Sequence, residues 1–529
     1  MQIDHYVGQL LEVLSARPDE VALRAGDEVL TSAGLAAAIT GAGAALRERG
    51  IGETGVVALL TVGNSPATLI GRYAANLIGA TVVHLRGINA ADPLDELPVA
   101  TQVDIVDDTG ATVLLTDAAN LARAREIRDR MAEPAILVAF GDFGEDVADI
   151  TGTAGEVEAK ADGTAVLTYT SGTTGRPKGI GRGFGGLGAV VAKARHMTQR
   201  CTMLVTTPLS HSVSSTVDDA VASGGTVILH EGFDAGEVLA AVERHQVNRV
   251  YLATPQLYDL LDHPALAGTD HSSLRELYYG GSPASPVRLS QAAEVFGAKL
   301  IQIYGTTESW VIAALSPEEH LKPELLTTVG KAVPFVQVSI RDPYVRHEVP
   351  AGRIGEICVR SPMMMDGYWK QPDLTSRVLI DGWLHTGDVG YLDADGYLYL
   401  VDRLADMIKT NGIKVYPAEV ENVLLAHPDV AQAAVFGVAD EDNVEYMHAI
   451  AVPRRGRDVD PADLAAHVAR GLSPSHVPAE IRLRAELPLT DAGKPDKLRL
   501  REEASTRTKT NRRPVTNPSH AKPESEMTS

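Results

Sequence analysis

Short, mostly apolar runs recur along the chain and limit the folds that it can adopt. They cover residues 55–62, 111–116, 134–140, 163–170, 225–230, 248–254 and 298–305. Runs of this length bounded by glycine, proline or asparagine are typical of strands buried on both faces. Stretches such as residues 32–50 and 233–246 separate several of the runs and have a helical composition. Strands that alternate with helices predict layered α/β sheets with parallel strands.

The length and a change of pattern predict more than one domain. The chain has 529 residues, whereas single hydrophobic cores stop growing near about 250–300 residues. After about Thr328 the runs become short segments punctuated by glycine and aspartate, which are typical of hairpins. We therefore predict a large domain of layered α/β sheets with a β-rich subdomain over residues 1–402, a small α+β domain over residues 403–504, and a disordered tail over residues 505–529.

The charge of the chain disfavours two classes of partner. The formal net charge is -21 at pH 7, so nucleic acids and anionic membrane surfaces should be repelled. No run of about 18 apolar residues predicts a membrane span, and residues 1–20 lack the segments of a signal peptide. Cys201 and Cys358 are too few for a disulfide framework. We expect a cytoplasmic protein with two reduced thiols and no nucleic-acid or membrane partner.

The strongest local signal is a loop rich in glycine and threonine over residues 169–179, directly after a strand-like run. Its glycines permit tight turns and a close approach of the backbone to a ligand, and Lys178 adds a positive charge. Backbone amides, hydroxyls and one ammonium group together suit a polyphosphate. The spacing differs from the Walker pattern GxxxxGK(S/T), so a P-loop is not implied.

A second glycine pattern follows the loop and has a different interpretation. Residues 181–186 match the G-x-G-x-x-G pattern of dinucleotide sites. Such a site needs a strand directly before it and an acidic residue about 20 positions later. The phosphate loop precedes this pattern instead, and residues 206–208 are Thr-Thr-Pro. A nicotinamide cofactor is therefore not expected.

The string over residues 169–179 resembles the signature of the adenylate-forming superfamily, which includes acyl-CoA and aryl-acid ligases, luciferases and peptide-synthetase adenylation domains. Other motifs similar to those of the family follow in order over most of the chain. The resemblance implies an enzyme that uses ATP and Mg²⁺ to convert a small carboxylic acid into its acyl-AMP and pyrophosphate. It also implies that the small C-terminal domain is mobile and rotates between two half-reactions.

Residues 302–308 carry candidate groups for the nucleotide and the metal. Tyr304 offers an aromatic face to adenine, the Gln302 amide can donate and accept, and the Glu308 carboxylate suits Mg²⁺. By resemblance to the family, Asp388 would bind the ribose hydroxyls together with Arg403. The nucleotide contacts implied by the resemblance are Thr170, Ser171, Gly172, Thr173, Thr174, Lys178, Gly280, Gly281, Ser282, Gln302, Tyr304, Gly305, Thr306, Asp388 and Arg403, with Glu308 and Thr170 at the metal.

The candidate acid pocket lies around His211, in a segment that resembles the Pro-x-x-His motif of the family beside the substrate carboxylate. By the same resemblance Thr307 would line the phosphate and acyl site. Amino-acid-activating relatives place an aspartate near this motif, whereas this chain has no acidic residue there before Asp218. An ordinary α-amino acid is therefore disfavoured. Trp310 and Tyr251 either line the pocket, which would suit an aryl or apolar acid, or pack in the core.

Two lysines resemble those that serve the two half-reactions in the family. An ammonium group at Lys494 would stabilise the charge that develops on the phosphoryl oxygens as pyrophosphate leaves. Lys409 lies on the segment that family members bring to the active site for the second step. The hinge residue, usually Asp or Lys in the family, is Ala405 in this chain. This departure bears on the second half-reaction.

The acceptor of the second half-reaction stays open. CoA is the first expectation as a cosubstrate, and the phosphopantetheine thiol of a separate carrier protein is an alternative, because no carrier domain is visible. An unusual branch of the family activates nitrite so that an aryl amine becomes a diazo group, and it would keep every nucleotide motif. A non-catalytic relative should have lost Lys494, Glu308 or the phosphate loop, and all three are present.

Overall fold

The computed structural model describes residues 5–85, 97–152, 157–158, 160, 163–170, 177–196, 199–211, 213–410, 413–439, 445–489 and 495–511. The described chain divides into two compact units, and the division falls between Leu404 and Ala405.

The strands of the first unit are short, as the short apolar runs predict. They are β1 (Val21–Ala25), β2 (Glu28–Thr31), β3 (Val56–Leu60), β4 (Thr81–His84), β5 (Val113–Thr116), β6 (Ile136–Ala139), β7 (Val147–Asp149), β8 (Thr164–Thr170), β9 (Lys178–Gly183), β10 (Thr202–Val205), β11 (Thr226–Leu229), β12 (Arg249–Ala253), β13 (Glu276–Gly280), β14 (Leu300–Thr306), β15 (Trp310–Leu315), β16 (Lys331–Ala332), β17 (Gln337–Arg341), β18 (Gly355–Arg360), β19 (Gly367–Tyr368), β20 (Leu379–Ile380), β21 (Trp383–Leu392) and β22 (Leu398–Arg403).

Helices alternate with these strands, and several begin at a side-chain cap. Thr31 Oγ1 accepts a hydrogen bond from the Gly34 N–H at 3.1 Å, and Asp234 Oδ1 accepts one from the Glu237 N–H at 2.9 Å. The helices are α1 (Tyr6–Ser15), α2 (Ser32–Glu48), α3 (Pro66–Leu77), α4 (Val99–Thr109), α5 (Leu121–Arg130), α6 (Phe184–Ala194), α7 (Val213–Ala222), α8 (Ala235–His245), α9 (Thr254–Asp262), α10 (Pro286–Phe296) and α11 (Pro372–Val378).

Two large sheets organise the first unit. One has the strand order β16-β15-β14-β13-β12-β10-β11-β1-β2, and the other has the order β19-β9-β8-β4-β3-β5-β6-β7. Their central strands pair in parallel, and antiparallel pairs lie toward the edges, at β14–β15 and at β8–β9. Every residue of β3 is buried, because both faces of a parallel sheet are covered.

The main core lies between the two sheets. Residues of α1, α2, α3, α6 and α7 pack in it with residues of β3, β4, β10 and β11. Met203 and Val205 belong to this core, whereas Leu204 packs with α8, α9 and α10, as side-chain alternation along β10 requires. Helices α4 and α5 pack in a third cluster with strands of the second sheet. The predicted layered α/β architecture is confirmed.

An antiparallel sheet forms the β-rich part of the first unit. It has the strand order β17-β18-β21-β20, and β22 pairs with β21. Its apolar residues pack with Tyr304 and Ile312 of the β14–β15 hairpin. The β-rich subdomain predicted after Thr328 is therefore attached directly to the strand that carries the candidate adenine residue.

The second unit is a small α+β fold. It contains β23 (Ile408–Thr410), β24 (Ile413–Val415), α12 (Pro417–Leu425), β25 (Val430–Ala439), β26 (Glu445–Pro453), α13 (Pro461–Gly471), β27 (Glu480–Leu483) and α14 (Lys497–Asn511). Leu500 and Ala504 of α14 pack against Phe436. These contacts anchor the helix, which continues through residues 505–511. Residues 505–511 of the predicted tail lie in this helix, and residues 512–529 lie outside the described residues, so the predicted disorder there stays a prediction.

Two further expectations concern membrane segments and cysteines. Within the described ranges, no helix has both the length and the apolar character needed to cross a bilayer. Cys201 and Cys358 are free and buried, and burial raises the pKa of each thiol to about 12. Both side chains are therefore protonated thiols at neutral pH.

A buried ion pair joins α3 to α7. Arg72 and Asp218 are each 1% exposed, and Arg72 Nη2 donates to Asp218 Oδ2. Tyr73 OH donates to the other carboxylate oxygen at 2.7 Å. The Arg72 guanidinium also lies over the rings of Tyr6 and Tyr73, at 5.9 and 5.2 Å from their centres. Because both charges are removed from water, loss of one partner would leave the other uncompensated.

Asp218→Ala should lower the unfolding free energy of the first unit by about 3–5 kcal/mol, because it leaves the Arg72 charge buried and unpaired. Urea unfolding followed by tryptophan fluorescence reports this unit, since Trp310, Trp369 and Trp383 all lie in it. Glu126→Ala is the matched control, because it removes the exposed Arg130–Glu126 pair, worth less than about 1 kcal/mol. Equal effects of the two substitutions would contradict the role given to the buried pair.

Candidate active site

The carboxyl ends of four parallel strands meet at one edge of the first sheet. Strands β10, β12, β13 and β14 are parallel neighbours. In open α/β sheets, ligands bind at this edge. His211 follows β10, residues 280–282 end β13 and follow it, and residues 306–308 end β14 and follow it. The structure therefore brings predicted acid, adenine and metal residues to the same edge.

The candidate phosphate loop connects β8 and β9, which form an antiparallel hairpin. Thr170 and Lys178 are partners in the register of the two strands, so the ends of the loop face each other. A Cβ atom at Gly179 would lie 2.9 Å from Tyr169 Cζ and 3.1 Å from Trp369 Cβ, and a larger residue would not fit without a shift. Four predicted phosphate residues lie outside the described residues, and their role stays a prediction: Ser171, Gly172, Thr173 and Thr174.

One tyrosine lies between the candidate phosphate lysine and the candidate metal carboxylate. Lys178 Nζ is 5.8 Å from the centre of the Tyr368 ring, and Tyr368 OH donates to Glu308 Oε1 at 3.0 Å. Burial and the neighbouring Glu308 charge raise the pKa of the Tyr368 hydroxyl, so it stays protonated and donates. Sequence reasoning missed Tyr368, because 60 residues separate it from Glu308 and no local motif marks the contact.

The candidate ribose carboxylate, Asp388, is 8% exposed and engaged at both oxygens. Tyr304 OH donates to Oδ2 at 2.8 Å, and Arg403 Nε donates to Oδ1 at 2.9 Å. The register of β21 and β22 places Asp388 opposite Arg403. Burial and the Asp388 charge raise the pKa of the Tyr304 hydroxyl well above its ordinary value, so it remains a donor. Three of the predicted nucleotide residues are thus in direct contact.

Gln302 is buried on β14, with its side chain engaged inside the protein. Tyr279 OH donates to Gln302 Oε1 at 3.3 Å, and the same hydroxyl lies 2.9 Å from His320 Nε2. The side-chain carbonyl therefore has a protein partner. A contact between Gln302 and adenine stays a prediction.

The turn after β13 is held by Thr254 and requires glycine. Thr254 Oγ1 lies 3.3 Å from Gly280 O and 3.0 Å from Ser282 O. A Cβ atom at Gly280 would lie 2.4 Å from Ile303 O, and Gly281 has φ +86°. Glycine is favoured at both positions, for steric and conformational reasons respectively. The backbone is exposed at Gly281, which suits close approach of a flat ligand.

The turn that carries Glu308 is closed by two hydroxyl groups. Thr306 Oγ1 and Ser309 Oγ lie 2.9 Å apart, and each accepts a hydrogen bond from the backbone N–H of the other residue at 3.1 Å. Gly305 is required beneath the turn, because a Cβ atom there would lie 1.8 Å from Trp310 O. The Thr306 hydroxyl therefore shapes the turn that positions Glu308.

The segment after β10 places polar groups beside His211. His211 is half-buried, and its backbone N–H donates to Pro208 O at 3.0 Å. The hydroxyls of Thr206, Thr207 and Ser210 are buried and have no hydrogen-bond partner in the described part of the chain. Buried hydroxyls normally have partners, so these groups are suited to contact a polar ligand. Thr307, on the facing loop, is half-buried.

A buried cluster supports the Asp388 turn and was not found from the sequence. His385 Nδ1 donates to Glu356 Oε2 at 2.7 Å and lies 3.4 Å from Cys358 Sγ. The Gly387 N–H donates to Glu356 Oε1 at 3.2 Å. These donors could in principle hold a metal ion, but 2.7 Å is a hydrogen-bond distance, and two tetrahedral ligands of one ion would lie farther apart. The cluster therefore fixes the turn before Asp388.

Three predicted residues remain, namely Lys409, Lys494 and Ala405. Lys409 lies in β23 and pairs in register with Lys414 of β24, and its side chain is not among those described. Lys494 lies outside the described residues, so its catalytic role stays a prediction. Ala405 is the first residue of the second unit, and rotation about it also stays a prediction.

Comparisons with known proteins identify what the chain is similar to. A family model described as AMP-binding enzyme matches residues 11–369, and a model described as AMP-binding enzyme C-terminal domain matches residues 419–494. Medium/long-chain-fatty-acid–CoA ligase FadD8 of Mycobacterium tuberculosis is 34% identical over 517 residues, covering 93% of this chain and 89% of the relative.

Two solved structures extend the comparison. Amide bond synthetase McbA from Marinactinospora thermotolerans has a TM-score of 0.86 and 37% identity, covering 94% of this chain and 99% of the other. O-succinylbenzoate coenzyme A synthetase MenE from Bacillus subtilis, solved in complex with ATP and magnesium ion, has a TM-score of 0.79 and 29% identity, covering 93% and 98%. The predicted cofactors ATP and Mg²⁺ agree with that complex.

Asp388→Ala should raise the dissociation constant for ATP by about 10- to 100-fold, because the ribose would lose a charged acceptor and Tyr304 and Arg403 would lose their shared partner. Titration calorimetry with a non-hydrolysable ATP analogue measures this change. Asp395→Ala is the control, since Asp395 lies in the exposed turn between β21 and β22. Unchanged affinity in the Asp388 variant would show that the nucleotide binds elsewhere.

Proposed function

Because the chain belongs to the AMP-binding enzyme family, we propose that it adenylates an aryl or apolar carboxylic acid and then transfers the acyl group to a thiol, with CoA as the first candidate. The family predicted from residues 169–179 is confirmed, and the chain is an AMP-forming ligase. The observation that carries the proposal is the contact of Tyr368 with both Lys178 and Glu308, the latter in the turn after the strand whose Tyr304 is hydrogen-bonded to Asp388.

The arrangement suits attack of a carboxylate oxygen on the α-phosphorus of ATP. Negative charge accumulates on the phosphoryl oxygens as pyrophosphate leaves, and fixed cations or N–H donors stabilise it. Lys178 supplies one such cation at the end of the phosphate hairpin. Lys494 would supply a second. No covalent intermediate on the protein is needed, so the reaction requires no nucleophilic side chain.

The residues at the turn fit a magnesium ion. Glu308 is half-buried, and one of its carboxylate oxygens accepts from Tyr368. Hard oxygen donors are the preferred ligands of Mg²⁺, which usually binds one or two carboxylates together with phosphate oxygens. Glu308 and Thr170 would hold the ion. When bound, Mg²⁺ would neutralise charge on the phosphates.

The contacts of Asp218 indicate which class of carboxylic acid the site can accept as substrate. Asp218 is the first acidic residue after the Pro-x-x-His segment, and its carboxylate is paired with Arg72 and Tyr73 inside the core. It is therefore not available to bind the ammonium group of an α-amino acid. This pairing supports an acid without an α-ammonium group.

The test is release of pyrophosphate from ATP with a panel of aryl, fatty and α-amino acids, using hydroxylamine to trap any acyl-AMP as a hydroxamate. The trap makes turnover independent of the natural acceptor. We expect release with aryl or apolar acids and little with α-amino acids. Release without any acid, or none with the whole panel, would count against the proposal.

An amine is the second candidate acceptor. The 37% identity to an amide bond synthetase covers 94% of this chain, and Ala405 departs from the Asp or Lys usual at the family hinge. The preferred acid is supplied with CoA, with a phosphopantetheinylated carrier protein or with an amine. Mass spectrometry then distinguishes thioester products from amide products. A nitrite and aryl-amine arm tests diazotisation in the same assay.

Lys494→Ala should lower the rate of acid-dependent pyrophosphate release by about 10²- to 10³-fold, because a cation that contacts the developing phosphoryl charge is lost. The dissociation constant for ATP should change less than about threefold, since the loss is specific to the transition state. Arg499→Ala is the control, as it removes an exposed cation from the same basic stretch. Full activity of the Lys494 variant would refute the assigned role.

Lys409→Ala should leave pyrophosphate release in the first turnover within about twofold of wild type and should slow acyl transfer by at least about tenfold. The reason is that the Lys409 segment is expected to serve only the second step. Rapid-quench measurement of acyl-AMP and product separates the steps. An equal loss in both would contradict the division of labour between the two lysines.

A further inference from the structure

A buried arginine lies against the backbone of the turn that carries Glu308. Arg182, near the carboxyl end of β9, is 9% exposed. Its Nη2 donates to Thr307 O at 3.0 Å, and its guanidinium carbon lies 3.7 Å from the centre of the Trp310 ring. The cation therefore touches two of the residues that sequence analysis places around the acyl group.

No carboxylate of the described residues forms an ion pair with Arg182. Burial is the largest influence on the pKa of the Arg182 guanidinium. Burial and the Arg72 charge lower this pKa, the Asp366 charge raises it, and the result is about 9. The group is therefore still cationic at neutral pH. Its Nε is buried without a hydrogen-bond partner. A guanidinium often donates two parallel N–H bonds to one carboxylate. A buried cation that lacks a carboxylate partner is unfavourable.

The tryptophan that covers the guanidinium has an unfavourable backbone. Trp310 has φ +65°, a region that bulky residues rarely adopt. Backbone strain of this kind persists where the surroundings enforce it, and it occurs often at binding sites. Trp310 is only half-buried, and its ring stacks on the Arg182 guanidinium. The flat Trp310 ring and the buried Arg182 guanidinium therefore lie together beside Thr307.

We propose that Arg182 is a specificity-determining residue that binds a second anionic group on the acid substrate, while Trp310 packs along the planar part of that acid. The proposal rests on the proposed adenylation of an aryl acid and narrows its substrate to aryl acids with two anionic groups, such as aryl dicarboxylates. Arg182 Nε–H is the donor for the second group.

The reacting carboxylate is a poorer occupant of this position. Adenylation removes negative charge from that group as its oxygen bonds to phosphorus. A two-pronged guanidinium bond would therefore stabilise the ground state more than the transition state and would slow the reaction. A second, unreactive anionic group keeps its charge throughout, so binding it costs nothing in the chemical step.

Matched pairs of acids test the proposal in the hydroxylamine-trapped pyrophosphate assay. Benzoate is compared with isophthalate, and cinnamate with 4-carboxycinnamate, so that each pair differs only in the second carboxylate. In the wild-type protein we expect kcat/KM for the diacid to exceed that for the monoacid by at least about tenfold. Equal values, or a preference for the monoacids, would overturn the proposal without any variant.

Arg182→Met removes the cation while keeping an unbranched side chain. It should lower kcat/KM for the diacids by at least about 20-fold more than for the monoacids, whose rates report the loss of the bond to Thr307 O. Arg182→Lys keeps the charge and should retain part of the preference for diacids. Equal loss for both acids of a pair would show that Arg182 is only structural.

Arg360→Met is a matched control. Arg360 also lies over a tryptophan, 4.7 Å from the centre of the Trp383 ring, and donates to the backbone carbonyls of Asp381 and Gly382, but it is exposed. Its substitution should leave the ratio between diacid and monoacid unchanged. If no acid of any class supports pyrophosphate release, adenylation itself has failed. If acids react without regard to the second carboxylate, only the role of Arg182 has failed.

Discussion

Residues 365–369 cross-link the two large sheets, and the geometry of the candidate active site depends on this link. The backbone N–H groups of Asp366 and Trp369 donate to Gly181 O and Gly179 O on β9, at 2.9 and 2.7 Å, and that of Met365 donates to Glu308 O at 2.7 Å. One short segment therefore fixes the β8–β9 hairpin, which carries the candidate phosphate loop, relative to the turn that carries Glu308 in the other sheet. Backbone bonds hold such a spacing without the entropy cost of ordering long side chains. Preorganised charges of this kind are what phosphoryl transfer requires.

The proposed nucleotide side and the proposed acid side of the candidate site are built differently. On the nucleotide side, Tyr304, Asp388 and Arg403 are joined by direct hydrogen bonds, and the buried Glu356–His385 pair supports the turn beneath them. On the acid side, three buried hydroxyls and the Arg182 guanidinium have unused hydrogen-bonding capacity. Satisfied groups define a fixed site for a ligand common to the family, whereas unused polar groups mark where a particular substrate contributes the missing partners.

The sequence alone predicts the layered sheets and the order of the motifs, because apolar runs and glycine-rich loops are local patterns. The strand at residues 56–60 and the helix at residues 235–245 are examples. Contacts between distant residues leave no such pattern, which is why Tyr368 beside Glu308 and Arg72 beside Asp218 could not be predicted. The packing of Leu500 and Ala504 with Phe436 of β25 is likewise invisible in the sequence, since it depends on the placement of the strand. Arg182 lies within a glycine pattern similar to that of dinucleotide sites, and no local pattern marks its contact with Thr307.

The most direct test of adenylation follows oxygen atoms. An acid that supports pyrophosphate release is labelled with ¹⁸O in its carboxylate. It is incubated with the protein, ATP, Mg²⁺ and hydroxylamine, and the products are analysed by mass spectrometry. If a carboxylate oxygen attacks the α-phosphorus, the AMP released on acyl transfer carries one ¹⁸O atom, and the pyrophosphate carries none. Label in inorganic phosphate together with ADP, or AMP without label, would contradict adenylation of the acid.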